Sequence, residues 1–449
     1  MIRFLHFSDI HFGQESNGRW EPHEDVRSEV LNDLRRMRSE SVIDGPADVI
    51  LVSGDIAQSG LESEYKTASE WLRRVVEIAG GPNTVIRTVP GNHDVNLTTL
   101  GASGELAQNA LRAEKDIRVV YRYLNELAAQ RSPVFSKLDD YRSFANAHGS
   151  DFESLSAPYY RTTFEMKGGK SIRLHGLCSV MICDKSDSPG GMVLGAHQFT
   201  IERHEECEDI VMMHHPLSWY RDKGHAATYL HSRPRLVITG HEHEFRLERT
   251  ARLNAHEQLT IAAGALNPPN ADSIYSYSYN WIELSWLPEG DNASLCAEVY
   301  PRAWNQASTG FGIHPGLQKL SQRHVIDCGR RPASSVAKVS PAVMTNALTD
   351  TRAESTDFGP ESDLPMPSEE AFQQLSLLFW LKLSKERRVE ILIRLGLLTE
   401  HARSRLPSSF EREALNDARA SGKLSEVWEA MMSELPESER ESNPFMSGE

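Results

Sequence analysis

Apolar and polar positions follow two rhythms over the first three hundred residues. Six short runs, IRFLHFSD (2–9), ADVILVSGD (47–55), TVIRTVPGNHD (84–94), SIRLHGLCSVMI (171–182), DIVMMHHP (209–216) and RLVITGHEH (235–243), have the length and the branched aliphatic content of buried strands. Between them lie stretches of helical spacing. Residues 24–40 place Val26, Val30, Leu31 and Leu34 on one face, and residues 63–81 close on a Gly-Gly pair suited to a helix C-terminus. Strand and helix alternating in this way predict a layered α/β sheet, in which ligand sites gather where strands end. After Gly264 the pattern changes. IYSYSYNWIELSW (274–286) is aromatic and nearly alternating, and LCAEVYPRAW (295–304) resembles it, so both read as antiparallel strands that complete the sheet.

Three further segments depart from this rhythm. Residues 95–158 form an insertion whose stretch LAQNALRAEKDIRVVYRYLNELAAQ (106–130) is strongly helical; it follows the GNHD loop directly and serves either as a lid over it or as a packing helix pair. Residues 331–368 are rich in Pro, Ser, Thr and Ala without hydrophobic period, as in a linker. Beyond them EEAFQQLSLLFWLKL, KERRVEILIRLGLLTEHA, SFEREALNDARASG and LSEVWEAMMSEL read as the three or four amphipathic helices of an all-α bundle. The resulting plan is a first domain over 1–305, a connecting region over 306–368 and a helical bundle over 369–449, with no internal repeat.

Composition narrows the class. The 449 residues are 39% hydrophobic and 25% charged, which fits a globular protein and not a disordered one. No apolar stretch is long enough to span a bilayer, and MIRFLHFSDIHFG turns polar too quickly for a signal peptide. The five cysteines are odd in number and show no CxxC pair, so free thiols and a cytoplasmic setting are expected. The formal net charge of -15 disfavours broad nonspecific binding to nucleic acid.

The chemistry stands at the ends of the apolar runs. They stop at Asp9-Ile10-His11, Gly54-Asp55, Gly91-Asn92-His93-Asp94, His214-His215-Pro216 and Gly240-His241-Glu242-His243. Each fragment alone reads as a turn or a surface loop. Together, each after a strand-like run, they put Asp9, His11, Asp55, Asn92, His214, His241 and His243 on one rim of the sheet. Mixed carboxylate, imidazole and amide donors suit Mn, Fe or Zn and suit Ca poorly. Seven donors exceed the needs of one ion, so two divalent ions sharing a bridging carboxylate are the economical solution. Two ions about 3.5–4 Å apart clamp a phosphoryl group and lower the pKa of a bridging water, whose hydroxide attacks phosphorus. His93 stands where a leaving group needs its proton, with Asp94 expected as the partner that keeps the imidazole protonated.

In this order D-x-H, G-D, G-N-H-D, H-H-P and G-H-x-H resemble the calcineurin-like metallophosphoesterase superfamily, over residues 1 to 305. The resemblance implies a four-layer αββα sandwich with a binuclear metal centre. It implies Asp9, His11, Asp55 and His243 at the first ion, Asn92, His214 and His241 with the bridging Asp55 at the second, and His93 as the catalytic acid; of the adjacent histidines it points to His214 rather than His215. Gln58 departs from the family pattern, which often has a second Asp at that position. The HHP and GHEH spacing is similar to that of the cyclic-nucleotide phosphodiesterase-like branch, which implies a diester of nucleotide type as substrate. A nuclease or a phosphomonoesterase of the same superfamily is the alternative. Tyr275, Tyr277, Tyr279 and Trp281 either stack a base or pack the sheet. The C-terminal bundle resembles the death-like adaptor domains of bacterial conflict proteins, with RRVEILIRLG (387–396) as its candidate contact with a protein partner; a dimerisation or structural tail is the competing reading. A regulatory protein that binds metal without turnover, acting through this bundle, is the alternative to a hydrolase. The intact ligand set and the His93-Asp94 pair favour the hydrolase.

Overall fold

In the computed structural model, which describes residues 1–14, 23–166, 170–202, 207–250, 257–267, 277–287, 292–305, 308–330, 369–398 and 408–445, the six apolar runs become strands of two sheets. The first begins with β1 (Ile2–Phe7), α1 (His23–Ser39), β2 (Ala47–Val52), α2 (Glu62–Ala79) and β3 (Gly80–Thr88), the three strands pairing in parallel. Three helices follow within the insertion: α3 (Gly101–Ala113), α4 (Ile117–Ala129) and α5 (Asp139–Ala147). The second sheet is built from β4 (Tyr159–Met166), β5 (Lys170–Leu177), the short α6 (Ala196–Phe199), β6 (Cys207–Met212), α7 (Lys223–Leu230), β7 (Pro234–Thr239), β8 (Arg246–Thr250) and β9 (Gln258–Ala262), with strand order β4-β5-β6-β7-β9-β8. The chain then returns to the first sheet as β10 (Ser278–Leu287), β11 (Asn292–Asn305), β12 (Gly310–Ile313) and β13 (Gln322–Arg330). That sheet runs β12-β11-β10-β1-β2-β3, with β13 beside β12 on the edge of β11 that faces away from β10. The aromatic strand β10 lies antiparallel to both β1 and β11, as its alternation predicts.

The period of two along each strand sorts side chains into layers. Phe4, Val49 and Leu51 meet Ile172, Leu174, Ile210, Met212, Leu236 and Ile238 in the core between the sheets. Leu5, Phe7, Ile50 and Val52 turn to the opposite face, where Val26, Val30, Leu31 and Leu34 of α1 and Ala68, Trp71, Leu72 and Val75 of α2 cover them. Helix, sheet, sheet and helix therefore stack as the expected αββα sandwich. The insertion makes the contacts of a packing element: Arg112 of α3 pairs with Asp184 and Asp187, Tyr121 of α4 donates to Asp222, and Arg221 caps the carbonyls at the end of α3. All five cysteines are free, and among the described residues no helix is long and apolar enough to cross a membrane.

One expectation needs correction, and one open alternative is decided. The connecting region placed over 306–368 begins too early, because β12 and β13 pair with β11 and carry the first sheet to Arg330. Their signal is faint for a physical reason: β12 is four residues, GFGI, and over 322–328 of β13 only Ile326 and Cys328 are buried, among polar neighbours. The rest of the expected linker, 331–368, lies outside the described residues. The alternative decided is base stacking against sheet packing. Tyr279 and Trp281 are 0% exposed and Tyr277 is 8% exposed, all three in the core under α1. The Tyr279 hydroxyl donates to Asp33, which also receives Arg302. These rings pack the sheet; Tyr275 lies outside the described residues.

The C-terminal bundle contains α8 (Glu369–Lys382), α9 (Lys385–Arg394), α10 (Ser408–Ala420) and α11 (Leu424–Glu434) around Leu375, Phe379, Leu392, Leu415, Val427 and Trp428. Helices α8 and α10 lie against α5 of the insertion, and Ala147 joins the bundle's core. Arg388 is buried at this junction, donating to Glu411 at 2.7 Å and to Glu62 of α2 at 2.9 Å.

Trp281 tests the layer assignment. Trp281→Ala is expected to lower stability by about 3–5 kcal/mol, the usual range for truncating a buried aromatic ring. Urea denaturation followed by circular dichroism measures it, and an unchanged midpoint would contradict the interior placement.

Candidate metal centre

The strand ends that carry the predicted ligands do not leave the sheet in ordinary extended or helical backbone. Eight non-glycine residues among those described have positive φ, and five of them are predicted ligands: Asp9 (53°), His11 (51°), Asp55 (51°), His241 (70°) and His243 (57°). A side chain in this region costs on the order of 1–3 kcal/mol and persists only where its surroundings dictate it. Here they do. Asp9 N–H donates to the Gly54 carbonyl at 3.0 Å, and Ile10 and His11 N–H both donate to the Asp55 carbonyl, at 2.8 and 3.0 Å. Gly240 N–H donates to the His214 carbonyl at 3.0 Å, tying the ends of β6 and β7 together. Gly54 itself, at φ 102°, has no room for a Cβ because the His214 ring lies against it.

These turns bring all seven predicted ligands together. The donor atoms of Asp9, His11 and His243 lie within 4.8 Å of one another, as do those of Asp9, Asp55 and His214. His243 Nε2 is 3.1 Å from Asp9 Oδ1, and His11 Nε2 is 4.0 Å from the same oxygen and 3.9 Å from Asp55 Oδ2. On the other side His214 Nε2 is 3.3 Å from Asp55 Oδ2, and His241 Nδ1 is 3.2 Å from Asn92 Oδ1. Asp55 therefore stands between two groups of donors.

The donor set fits metal ions. Both ring nitrogens of His11 and Nε2 of His214 are buried without a hydrogen-bond partner. Such atoms carry a desolvation penalty that a bound ion would remove. His214 Nδ1 donates to the Ser53 carbonyl at 2.8 Å, which fixes the tautomer and leaves the Nε2 lone pair directed at the Asp55 side of the cluster. The electrostatics agree. Burial lowers the pKa of His11 and His241 to about 4, holding both neutral, as ligands must be. Burial acts against Asp9 and Asp55 as anions, but His243 and His214 outweigh it and both pKa values are lowered. At His214 burial is opposed by the negative charges of Asp55 and Asp9, and the balance raises its pKa to about 9. A metal ion at Nε2 would take the place of that proton.

His93 joins this cluster, but not in the company expected. Its ring stands edge-on to His11 with centroids 4.7 Å apart, its N–H donates to Asp55 Oδ1 at 2.8 Å, and its Nδ1 meets the Gln58 carbonyl at 2.9 Å. Asp94 does not touch the imidazole. Its buried carboxylate accepts from the N–H groups of Ile56, Ala57 and Gly91 and from the Tyr65 hydroxyl. Asn92–Asp94 is a single 3-10 turn, in which consecutive side chains point in different directions, so neighbours in sequence cannot pair. Burial, then the Asp55 charge, pushes the Asp94 carboxyl up to about 7 against the pull of those three amides. Asp94 braces the loops that hold Asp55 and His93.

Three nearby groups lie outside the predicted ligand set. His215 is fully buried, with Nδ1 2.8 Å from Ser179 Oγ, and its ring centroid is 4.3 Å from that of His241. Its donor atom falls within 4.8 Å of those of His214 and His241. Trp219 lies edgewise on His241 at 4.2 Å and forms a partly exposed wall beside it. The Gln58 carbonyl is the third, and no side-chain pattern announces a main-chain acceptor.

Calorimetric titration of metal-free protein with Mn²⁺ is expected to show two ions per chain. His11→Ala should lose one of them, and Asp55→Ala should weaken both. A His11→Ala protein that still takes two ions with unchanged affinity would refute this assignment of donors.

Comparison with known proteins gives two family matches: the calcineurin-like phosphoesterase family over residues 2–245 and the GTPase-associated adaptor domain over residues 371–433. No curated protein matches the chain. Among solved structures it is similar to a Vps29 double mutant from Entamoeba histolytica, at 11% identity and a TM-score of 0.28, covering 73% of this chain and 100% of that one. It is also similar to the purple acid phosphatase PPD1 from yellow lupin (Lupinus luteus), at 13% identity and a TM-score of 0.35, covering 72% of this chain and 53% of that one, so it spans about half of that phosphatase. The first family match takes in more than half of the chain and every residue of the cluster from Asp9 to His243. The chain belongs to the calcineurin-like phosphoesterase family.

Proposed function

We propose that this protein is a two-metal phosphodiesterase acting on a nucleotide-type ester. The observation that supports the reading best is the convergence of seven metal donors with His93 beside them and no donor missing. Asp9, His11 and His243 would hold one ion, Asn92, His214 and His241 the other, with Asp55 between. Mn, Fe or Zn suits these donors. When bound, such ions supply Lewis acidity at the phosphoryl oxygens and a water acidic enough to ionise near neutral pH.

The chain's own residues do the remaining work. Nδ1–H of His93 donates to the Gln58 carbonyl, which leaves Nε2 for the proton that the departing oxygen needs. Asp94 and Tyr65 keep the loop carrying His93 in register with Asp55. Trp219, at the rim over His241, offers a surface for a base, a stacking contact typically worth about 1–3 kcal/mol. The adaptor-domain match supports a second role, for residues 371–433, in bringing the enzyme to a protein partner, and its description points to a GTPase. The complete donor set favours a hydrolase over a regulatory protein that only binds metal.

Manganese-reconstituted protein should cleave bis(4-nitrophenyl) phosphate faster than 4-nitrophenyl phosphate. His93→Ala should slow the diester by about 10²–10⁴-fold, the usual share of a general acid. Bound metal with neither ester cleaved would overturn the proposal and move attention to the bundle.

A further inference from the structure

The carbonyl that holds His93 belongs to a loop with no regular structure of its own. Between the end of β2 and the start of α2 the chain passes through Gln58, Ser59, Gly60 and Leu61. One side chain organises this passage. Glu64, in the first turn of α2, accepts from Ser59 N–H at 2.9 Å and from Leu61 N–H at 3.0 Å, both at Oε2. Its carboxylate also fills the space beside Gly13, where φ is 98° and no Cβ could be placed. Glu64 is 8% exposed, so these amides are satisfied by a buried acceptor that water does not readily replace.

The same turn reaches two other places. Tyr65 donates to Asp94 Oδ1 and to its carbonyl, each at 3.1 Å. Glu62 accepts from Arg388 of the C-terminal bundle at 2.9 Å. Arg388 is fixed on its own side by Glu411 at 2.7 Å, by the Leu383 carbonyl at 2.8 Å and by the Trp380 ring beneath it. One turn of helix thus touches the loop under His93, the brace of the neighbouring loop, and the adaptor bundle.

We propose that Glu64 is a positioning residue for His93, acting through the Gln58 carbonyl, and that the bundle steadies the same turn through Arg388 and Glu62. The inference rests on the reading of His93 as proton donor to the leaving group. A carbonyl orients an imidazole only while it stays in place to accept from Nδ1–H. Without Glu64 the amides of Ser59 and Leu61 lose their acceptor, the loop relaxes, and the direction of Nε2 is no longer set. Misplacing a catalytic group by about 1 Å can cost up to a hundredfold in rate. The loss should fall on esters whose leaving oxygen is strongly basic, because only these need the proton.

The test uses full-length, manganese-reconstituted protein and three aryl phosphodiesters whose leaving groups rise in basicity: 2,4-dinitrophenyl, 4-nitrophenyl and phenyl. His93→Ala should slow the phenyl ester far more than the dinitrophenyl ester. Glu64→Asp and Glu64→Ala should show the same selective loss in kcat, about tenfold or more between the extremes, with KM little changed. Glu64→Gln retains an oxygen that can accept both amides and should restore the wild-type pattern; Glu64→Asp keeps the charge but cannot reach. Glu62→Ala should shift the pattern in the same sense by about two- to fivefold, in keeping with a half-exposed ion pair.

Each outcome decides something. Equal slowing of all three esters in Glu64→Asp and Glu64→Gln, beside a selective loss in His93→Ala, makes Glu64 merely structural and overturns the proposal. A selective loss in the Glu64 variants with none in Glu62→Ala removes the bundle from it. Absence of a selective loss in His93→Ala itself means that the reading of His93 has failed, and this inference falls with it.

Discussion

Left-handed backbone at the strand ends is the constraint on which this molecule depends. Asp9, His11, Asp55, His241 and His243 all adopt it, and no ordinary exit from a strand would turn their donor atoms toward one point. The strain is held in place by main-chain hydrogen bonds between neighbouring strand ends, so it requires β1 beside β2 and β6 beside β7. It also requires the two sheets to face each other. His241 N–H donates to Asp9 Oδ2 at 3.1 Å across that gap, and Asn267 N–H donates to the Asp9 carbonyl at 2.9 Å. The apolar layer of Phe4, Val49, Leu51, Ile210, Met212 and Ile238 is what brings those ends within reach. The core between the sheets is, in that sense, part of the site.

Much of this is legible from residue order alone because strand ends are marked twice. An apolar run stops, and the next residues are Asp, Asn, His or Gly. The first mark reports burial and the second reports a turn that must present a donor, and both survive in a single sequence. What escapes is whatever depends on direction rather than order. Asp94 follows His93 in the chain, yet the 3-10 turn sends its carboxylate to the amides of Ile56, Ala57 and Gly91. The alternation of Tyr277, Tyr279 and Trp281 marks a strand, but which partner covers their shared face, α1 here, is not written in the order of residues. The short β12 and the mostly polar β13 bury too few side chains to stand out from a linker.

The departure at Gln58 has a related explanation. A side chain at that position is not what His93 uses; Nδ1 meets the main-chain carbonyl, which every residue type possesses. A substitution there need not disturb the imidazole so long as the loop keeps its path. The identity of residue 58 is therefore a weak guide to activity, and the groups that fix the loop's path are a strong one. Those groups are Glu64 and Gly13, which lie outside the motifs that mark the centre.

The position of the bundle follows the same logic. Docked on α5 and paired with Glu62, it contacts α2 and α5, the helices beside the Asp55 and His93 loops. A partner gripping the bundle would pull on α2 and α5. Two-state control of this kind needs only a small shift in a turn, because a proton donor loses effect over distances well below the length of a side chain. Arg388 is suited to such a junction: it is fully buried between Glu411, Trp380 and Glu62, and on releasing Glu62 it would still be held by Glu411. The bundle and the phosphoesterase are thereby joined by an ion pair buried at Arg388 and partly exposed at Glu62, so its loss would reach the loop under His93 as a modest shift.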